Sequence, residues 1–398
     1  MKEIENVVFE KDVLKKLCDN LKPHKQVFII TSPTPKQTYL PILSNMLKER
    51  GIVFWCYCLP KSPKTTPENV LKACSNVKGA KIIVSLGAGT VCDISKIVAK
   101  KMDLPLFVVP TTITHFGLFN NVAILGDAFP KYVKTNFPNK VYIDEAIIIK
   151  SPEIFIQSTL CFSLSLLEPL FSFESKEILL QENPVSIKNL SSKIKQIEEL
   201  TCWLSLSKSF TILNLMDYVF DLFQILKHNF ECSNLLFASM LNSSTLKNNF
   251  GEKALLCSET LFQTYLLFLK QQVVSPKDIP NREKILSLLS KIPSSSLLST
   301  NFSPEEIFEN FICSTNSLLN QKLIFNLQKN KTALTKLCFE KIQAISKFMK
   351  KFKMVFSSSS TLRMIDENNL FSCLELLPLS SSSFLPKLVS RFGYLNVV

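Results

Sequence analysis

The chain has 398 residues, 46% of them hydrophobic and 20% charged. That is enough to bury a large core in about two domains, and it excludes disorder as the main state. An excess of 46 Lys+Arg over 33 Asp+Glu gives a formal charge of +13, but the lysines are scattered and no nucleic-acid-binding motif accompanies them, so nucleic acid is not an expected partner.

The opening MKEIENVVFEKDVLKKL lacks the apolar core and cleavage site of a secretory signal. The first 150 residues then alternate apolar runs with amphipathic stretches. Gln26 to Thr31 reads as a buried strand, followed by a helix from Lys36 to Arg50 that Gly51 ends. Ile52 to Leu59 is a second strand, Glu68 to Ser75 a short helix and Lys81 to Leu86 a third strand. From Val91 to Lys101 apolar residues recur at helical spacing, and Leu106 to Val109 is a fourth strand that stops at Pro110. Strands alternating with helices imply a parallel sheet with right-handed crossovers, an α/β nucleotide-binding type of domain.

Beyond Ser151 the strand signal fades. Helical periodicity marks Ile194 to Leu206, Phe210 to Lys227, Lys253 to Lys270, Glu305 to Leu319 and Thr332 to Phe356, with serine-rich breaks at Ser294 to Ser299 and Ser357 to Ser360. No stretch supplies the ~18 uninterrupted apolar residues of a membrane span. The nearest, Ser158 to Phe173, contains Glu168 and Pro169, so the chain is expected to be cytoplasmic with no transmembrane segment. Twelve cysteines without a CxxC pair suit reduced, mostly buried thiols.

Glycine is scarce: 8 occur, where about 28 would follow from ~7% usage. Gly79, Gly87, Gly89, Gly117 and Gly126 fall within one stretch, which suggests positions where a side chain cannot sit. In IIVSLGAGTVCDISKIVA, the residues Gly87, Ala88, Gly89 and Thr90 stand between a buried strand and the first turn of a helix. There the unpaired amides and the positive dipole end can hold a pyrophosphate. A tight turn whose glycines serve only backbone geometry is an equal alternative on these residues alone. The spacing is neither GxGxxG nor a P-loop.

The longer stretch GAGTVCDISKIVAKKMDLPLFVVPTTITHFGLFNNVAIL resembles the core of the iron-containing alcohol dehydrogenase and dehydroquinate synthase-like superfamily. Members have GGGxxxD opening a helix, then a strand ending in PT and a loop. Within it the resemblance is to sn-glycerol-1-phosphate dehydrogenases, whose PTxxSHDG loop aligns with Pro110, Thr111, Thr114, His115, Phe116 and Gly117. The segment PNKVYIDEAIIIKSPE is similar to that family's interdomain bridge, with Asp144 and Pro152 at matching positions. The resemblance runs from Lys81 to Gln157 and extends back toward Gln26. It implies a Rossmann-like α/β domain over 1–150, an all-α domain over 151–398 and an active cleft between them.

It also implies that Gly87, Ala88, Gly89 and Thr90 hold the pyrophosphate of NAD or NADP, and that Thr111 and Thr114 line the nicotinamide side. Asp93 would support the turn, and His115 either contacts a substrate phosphate or has no role. Where the family often has an acidic residue for the adenosine ribose, Thr31 and Ser32 stand, so the choice between NAD and NADP stays open. The expected small-molecule partner is a dinucleotide or a phosphorylated metabolite, and self-association is left open.

Family hydride transfer uses a divalent metal, usually zinc, held by one Asp and two His. The resemblance puts the Asp at Phe162 and the histidines of a GSEHxxxH-like helix at Thr260 and Thr264. The substrate-loop Asp aligns with Phe116. Only His24, His115 and His228 exist in the chain. Asp217, Asp221 and His228 share one helical face, which reads as a relocated metal site or, more simply, as a solvated face. The expectation is a glycerol-1-phosphate dehydrogenase-like protein whose zinc and metal-dependent hydride transfer are lost; an active enzyme and a structural interaction protein are the alternatives. Finally, Leu334, Leu337, Cys338, Ile342, Ile345, Phe348, Met349 and Phe352 form a stripe beside seven lysines between Lys331 and Lys353. It is expected to pack inward, against the alternative of a membrane-surface helix.

Overall fold

The computed structural model describes residues 6–112, 118, 120–126, 129–180, 232–240, 250–270, 282–291, 303–316, 320–355, 377 and 384–391. These form two compact units. In the first, the elements are β1 (Val7–Phe9), α1 (Val13–Leu21), β2 (Gln26–Thr31), α2 (Pro33–Thr38), α3 (Leu40–Glu49), β3 (Val53–Cys58), α4 (Pro67–Ser75), β4 (Ile82–Leu86), α5 (Thr90–Met102) and β5 (Leu106–Val109). A short hairpin, β6 (Val122–Leu125) and β7 (Lys131–Lys134), precedes β8 (Lys140–Ile143) and α6 (Glu145–Ile149). Six strands make one parallel sheet in the order β1-β8-β5-β4-β2-β3.

The central strands β2, β4 and β5 are apolar but for Gln26, Thr31 and Ser85, because both faces are covered. Val27, Ile29, Val84 and Leu86 pack with α1, α3 and Ile147 of α6 into one buried layer, while α4 and α5 pack together and α5 lies on β4 and β5. The helix expected from Lys36 to Arg50 is two. Pro41 has no amide hydrogen to donate back to the residue 37 carbonyl, so the helical ladder breaks at Tyr39 and a new helix starts at Leu40, with the proline in its first turn. Strand β1 and helix α1 were not anticipated: β1 is three residues long and exists by pairing Val7–Phe9 with Val141–Ile143.

Asp144, at a position the resemblance singled out, is a structural knot. It is 5% exposed. Its Oδ1 accepts from the Ala146 amide at 2.8 Å, capping α6, and its Oδ2 accepts from the Val13 amide at 3.2 Å at the start of α1. Asp144→Ala strands both amides, and urea unfolding is expected to show a loss of about 1–3 kcal/mol; an unchanged midpoint would contradict this role.

The second unit is helical: the end of α7 (Glu153–Ser165), then α8 (Leu167–Leu180), α9 (Ser233–Met240), α10 (Phe250–Lys270), α11 (Arg282–Ser290), α12 (Pro304–Asn316), α13 (Gln321–Val355) and α14 (Phe384–Arg391). Helix α12 starts with a reciprocal box: Ser303 Oγ accepts from the Glu306 amide, and Glu306 Oε2 accepts from the Ser303 amide. Of the stripe expected on α13, Leu334, Cys338, Ile342 and Ile345 are buried and Leu337 is partly exposed, while the side chains of Phe348, Met349 and Phe352 lie outside the described residues. Among the described residues no helix is long and apolar enough to cross a membrane. The helices expected at Ile194 to Leu206 and Phe210 to Lys227, and both serine-rich breaks, lie outside the described residues.

The ten described cysteines are free thiols. Burial pushes Cys18 up to about 11 and Cys161 and Cys338 to about 12, which keeps these sulfurs protonated and unreactive near neutrality.

Candidate dinucleotide site and the metal positions

Strand β4 ends in the turn at 87–90. Gly87 continues the sheet edge, donating its amide to the Val109 carbonyl at 3.1 Å and accepting from the Thr111 amide at 3.2 Å. A Cβ on Gly87 would lie 2.9–3.1 Å from the side chain of Val91, so the residue must be small for α5 to start this close to the strand. Gly89 caps α5 at φ 48°, ψ −114°, a conformation suited to glycine. Val91 and Asp93 donate back to Ala88 and Gly89, which closes the first turn. The amides of Ala88, Gly89 and Thr90 have no hydrogen-bond partner among the described residues, and all three residues are partly exposed. Helix α5 thus presents open donors at its positive end.

The sheet places this turn where α/β folds bind ligands. From β2 the chain leaves to the face of α1 and α3, and from the neighbouring β4 it leaves to the face of α5. The two strands are paired to their carboxyl ends, Thr31 opposite Leu86. Successive connections therefore diverge between β2 and β4, and the gap outside their carboxyl ends is a topological switch point. Thr31 is fully buried and donates its hydroxyl to the Leu86 carbonyl at 2.7 Å. Ser32, partly exposed, caps α2 without a side-chain hydrogen bond, so a hydroxyl rather than a carboxylate faces that end of the switch point.

Thr111 is partly exposed directly after β5, tied to Gly87 as described. Thr114, His115 and Phe116 lie outside the described residues, as do Asp217, Asp221 and His228. His24 is half-buried: its ring meets Phe107 edge-on at 6.1 Å, and burial lowers its pKa. Lys96 and Asn120 were not singled out in the sequence. Lys96 is 1% exposed, and its Nζ donates to Asn120 Oδ1 at 2.7 Å and to the Val122 carbonyl. The available signal was weak: a lysine among Ile94, Ile97 and Val98 looks solvated until both sides of α5 prove covered, from Val91 to Ala99.

In the second unit, Phe162 is 3% exposed on α7, and Thr260 and Thr264 lie buried on α10. Both hydroxyls bond within their own helix, Thr260 to the Leu256 carbonyl at 3.0 Å and Thr264 to the Thr260 carbonyl at 2.9 Å. Nearby Ser258 donates to the Ser165 carbonyl at 2.9 Å, and Tyr265 donates to the fully buried Glu168 at 2.7 Å. The rings of Phe171, Phe262 and Tyr265 pack against one another, tilted or edge-on. Among the described residues no group of three or more His, Cys, Asp or Glu side chains could hold a metal ion.

Residues 8–152 match the family model for iron-containing alcohol dehydrogenase. An iron-containing alcohol dehydrogenase of Thermotoga maritima superposes with a TM-score of 0.52 at 16% identity, covering 82% of this chain and 97% of its own. A halo-thermophilic alcohol dehydrogenase from an archaeon of a Red Sea brine pool does so at 0.60 and 11% identity, over 98% and 97% of the two chains. The fold is that of the iron-containing alcohol dehydrogenases. Among curated proteins, the glycerol-1-phosphate dehydrogenase (NAD(P)+) of Methanosphaera stadtmanae is 31% identical over 140 residues, 35% of this chain and 39% of that protein. The Sulfolobus acidocaldarius protein of the same name is 27% identical over 149 residues, 36% and 42% of the two. This chain therefore matches about two fifths of the length of these relatives; the family-model match, residues 8–152, contains the turn.

Proposed function

We propose that the chain binds NAD or NADP at the turn 87–90 and has lost the metal-dependent hydride transfer of its relatives. The single observation that carries the first half is the row of open amides on Ala88, Gly89 and Thr90 at the switch point, inside residues 8–152, which match the iron-containing alcohol dehydrogenase family model. Backbone donors at a helix start suit a pyrophosphate, and the small side chains let it approach. When bound, the nicotinamide of such a cofactor gives or takes a hydride. Gly87 sets the close start of α5, Gly89 turns the amides outward and Thr111 stands beside them. The substrate class that goes with this reading is a small phosphorylated alcohol or ketone such as glycerol-1-phosphate, named in the relatives.

The metal does not fit the residues at its family positions. Phe162 offers no lone pair, and Thr260 and Thr264 commit their hydroxyls to their own helix. Without a cation to stabilise the alkoxide, hydride transfer loses several kcal/mol of transition-state stabilisation, on the order of a thousandfold or more in rate.

Fluorescence titration is expected to give saturable NADH or NADPH binding below about 1 mM. The same protein with dihydroxyacetone phosphate and added zinc is expected to oxidise neither nucleotide. Failure to bind both nucleotides would overturn the first half; turnover abolished by a chelator would overturn the second.

A further inference from the structure

Strand β3 forms one edge of the six-stranded sheet and pairs with β2 alone. The Val53 amide donates to the Lys25 carbonyl at 2.9 Å and the Leu59 amide to the Thr31 carbonyl at 2.8 Å. A parallel ladder uses alternate residues. With this register Val53, Trp55 and Tyr57 turn amide and carbonyl toward β2, and Phe54, Cys56 and Cys58 turn theirs outward. None of these outward groups has a hydrogen-bond partner among the described residues. Natural edges are blunted by shortness, lysine or proline. The opposite edge, β1, is three residues long, but β3 runs for six as VFWCYC, with no charge and no proline. Phe54 and Cys56 pack on the core layer of α1 and α3, which holds the open edge in place.

The edge fits a second copy of itself in one register. Laid antiparallel about a two-fold axis at Cys56, two strands oppose Cys56 to Cys56 and Phe54 to Cys58, and every outward amide and carbonyl is matched. A shift either way fails. It opposes Phe54 to Pro60, which has no amide hydrogen, or Cys58 to Ile52, whose amide is already bonded to the Leu47 carbonyl at 3.0 Å. In the matched register Trp55 falls opposite Tyr57 of the other copy, twice, in the close non-hydrogen-bonded pairs that suit aromatic side chains. The chain carries a formal charge of +13, yet the paired strands bring no like charges together.

We propose that the chain forms a two-fold dimer through antiparallel pairing of β3, which joins two six-stranded sheets into one continuous sheet. This goes beyond the nucleotide reading and does not depend on it. Six-residue edges bury less than the ~800 Å² per partner of a standard interface, so a dissociation constant in the micromolar range is expected.

Sedimentation velocity on the full chain from about 1 to about 100 μM is expected to show a monomer–dimer equilibrium. Cys56→Pro removes the outward amide on the two-fold axis and spares the bonds to β2, since an edge strand accepts proline where its amide faces out. It is expected to weaken the dimer by about tenfold or more. A wild-type chain that stays monomeric across that range would overturn the proposal and leave the edge to a strand of another protein. An equally tight dimer of Cys56→Pro would put the interface elsewhere and overturn it too. Should Cys56→Pro fail to fold, wild-type amide hydrogen exchange decides. On dilution from dimer to monomer the amides of Phe54, Cys56 and Cys58 are expected to exchange faster, while those of Trp55 and Tyr57, bonded to β2, stay slow. Unchanged exchange at Phe54, Cys56 and Cys58 on dilution would overturn the pairing.

Discussion

Gly89→Ala is expected to abolish nucleotide binding in the working range and to lower stability by about 1–3 kcal/mol, the usual cost of a residue forced into a sparsely populated backbone region. At φ 48° and ψ −114° an alanine Cβ is strained whatever space surrounds it. The turn can relieve that strain only by rotating the peptides on either side, and these carry the amides of Gly89 and Thr90. Stability and binding should therefore fall together. Gly87→Ala tests a different cause. Its Cβ would meet Val91 Cβ at 3.0 Å, a branched carbon fixed on the helix rather than a flexible tip, so α5 must move away from β4. A tenfold or greater loss of NADH affinity is expected there too.

Gly51→Ala is the control. Gly51 also has positive φ, +61°, but nothing lies within 4 Å of its Cβ, and it sits at the other end of β3. It should cost about 1 kcal/mol and leave nucleotide affinity unchanged. Urea unfolding and NADH titration on the three variants separate a site effect from general loosening. Gly89→Ala with wild-type affinity would remove the turn from the nucleotide reading.

Chain order made much of the first unit legible, and its limits have physical causes. Strands β2, β4 and β5 are mainly apolar runs because they lie inside the sheet, and Leu106–Val109 emerges with the expected bounds. Strand β1 has no such signature. Its three residues are extended only because β8, more than 130 residues later, supplies partners, and local pattern does not carry pairing at that range. The glycines of the turn were visible because the chain is otherwise poor in glycine. Lys96 was not, since its meaning comes from Asn120 and Val122 arriving above it. Pro41 was visible as a residue, yet the periodicity across it concealed a break that its missing amide requires.

The metal positions lend themselves to a reconstruction that should fail. Phe162→Asp with Thr260→His places a carboxylate and an imidazole where the family resemblance puts ligands. Phe162 is 3% exposed, among Leu164, Leu166 and Leu167, which are buried as well. An aspartate there loses an aromatic side chain from the core and must be either desolvated as an ion or protonated; together these cost on the order of 3–5 kcal/mol. Only a bound cation would repay it. Two ligands do not make a closed site, and no histidine follows His228 in the sequence. Thr260→His also leaves Thr264 at the second histidine position, with its hydroxyl still bonded to the residue 260 carbonyl. The double variant is therefore expected to unfold at lower urea, to carry well under one zinc per chain by atomic absorption and to show no dihydroxyacetone phosphate reduction. Stoichiometric zinc together with NADH oxidation in that variant would mean that a third donor reaches the site from elsewhere in the chain, and that the catalytic loss is only two residues deep.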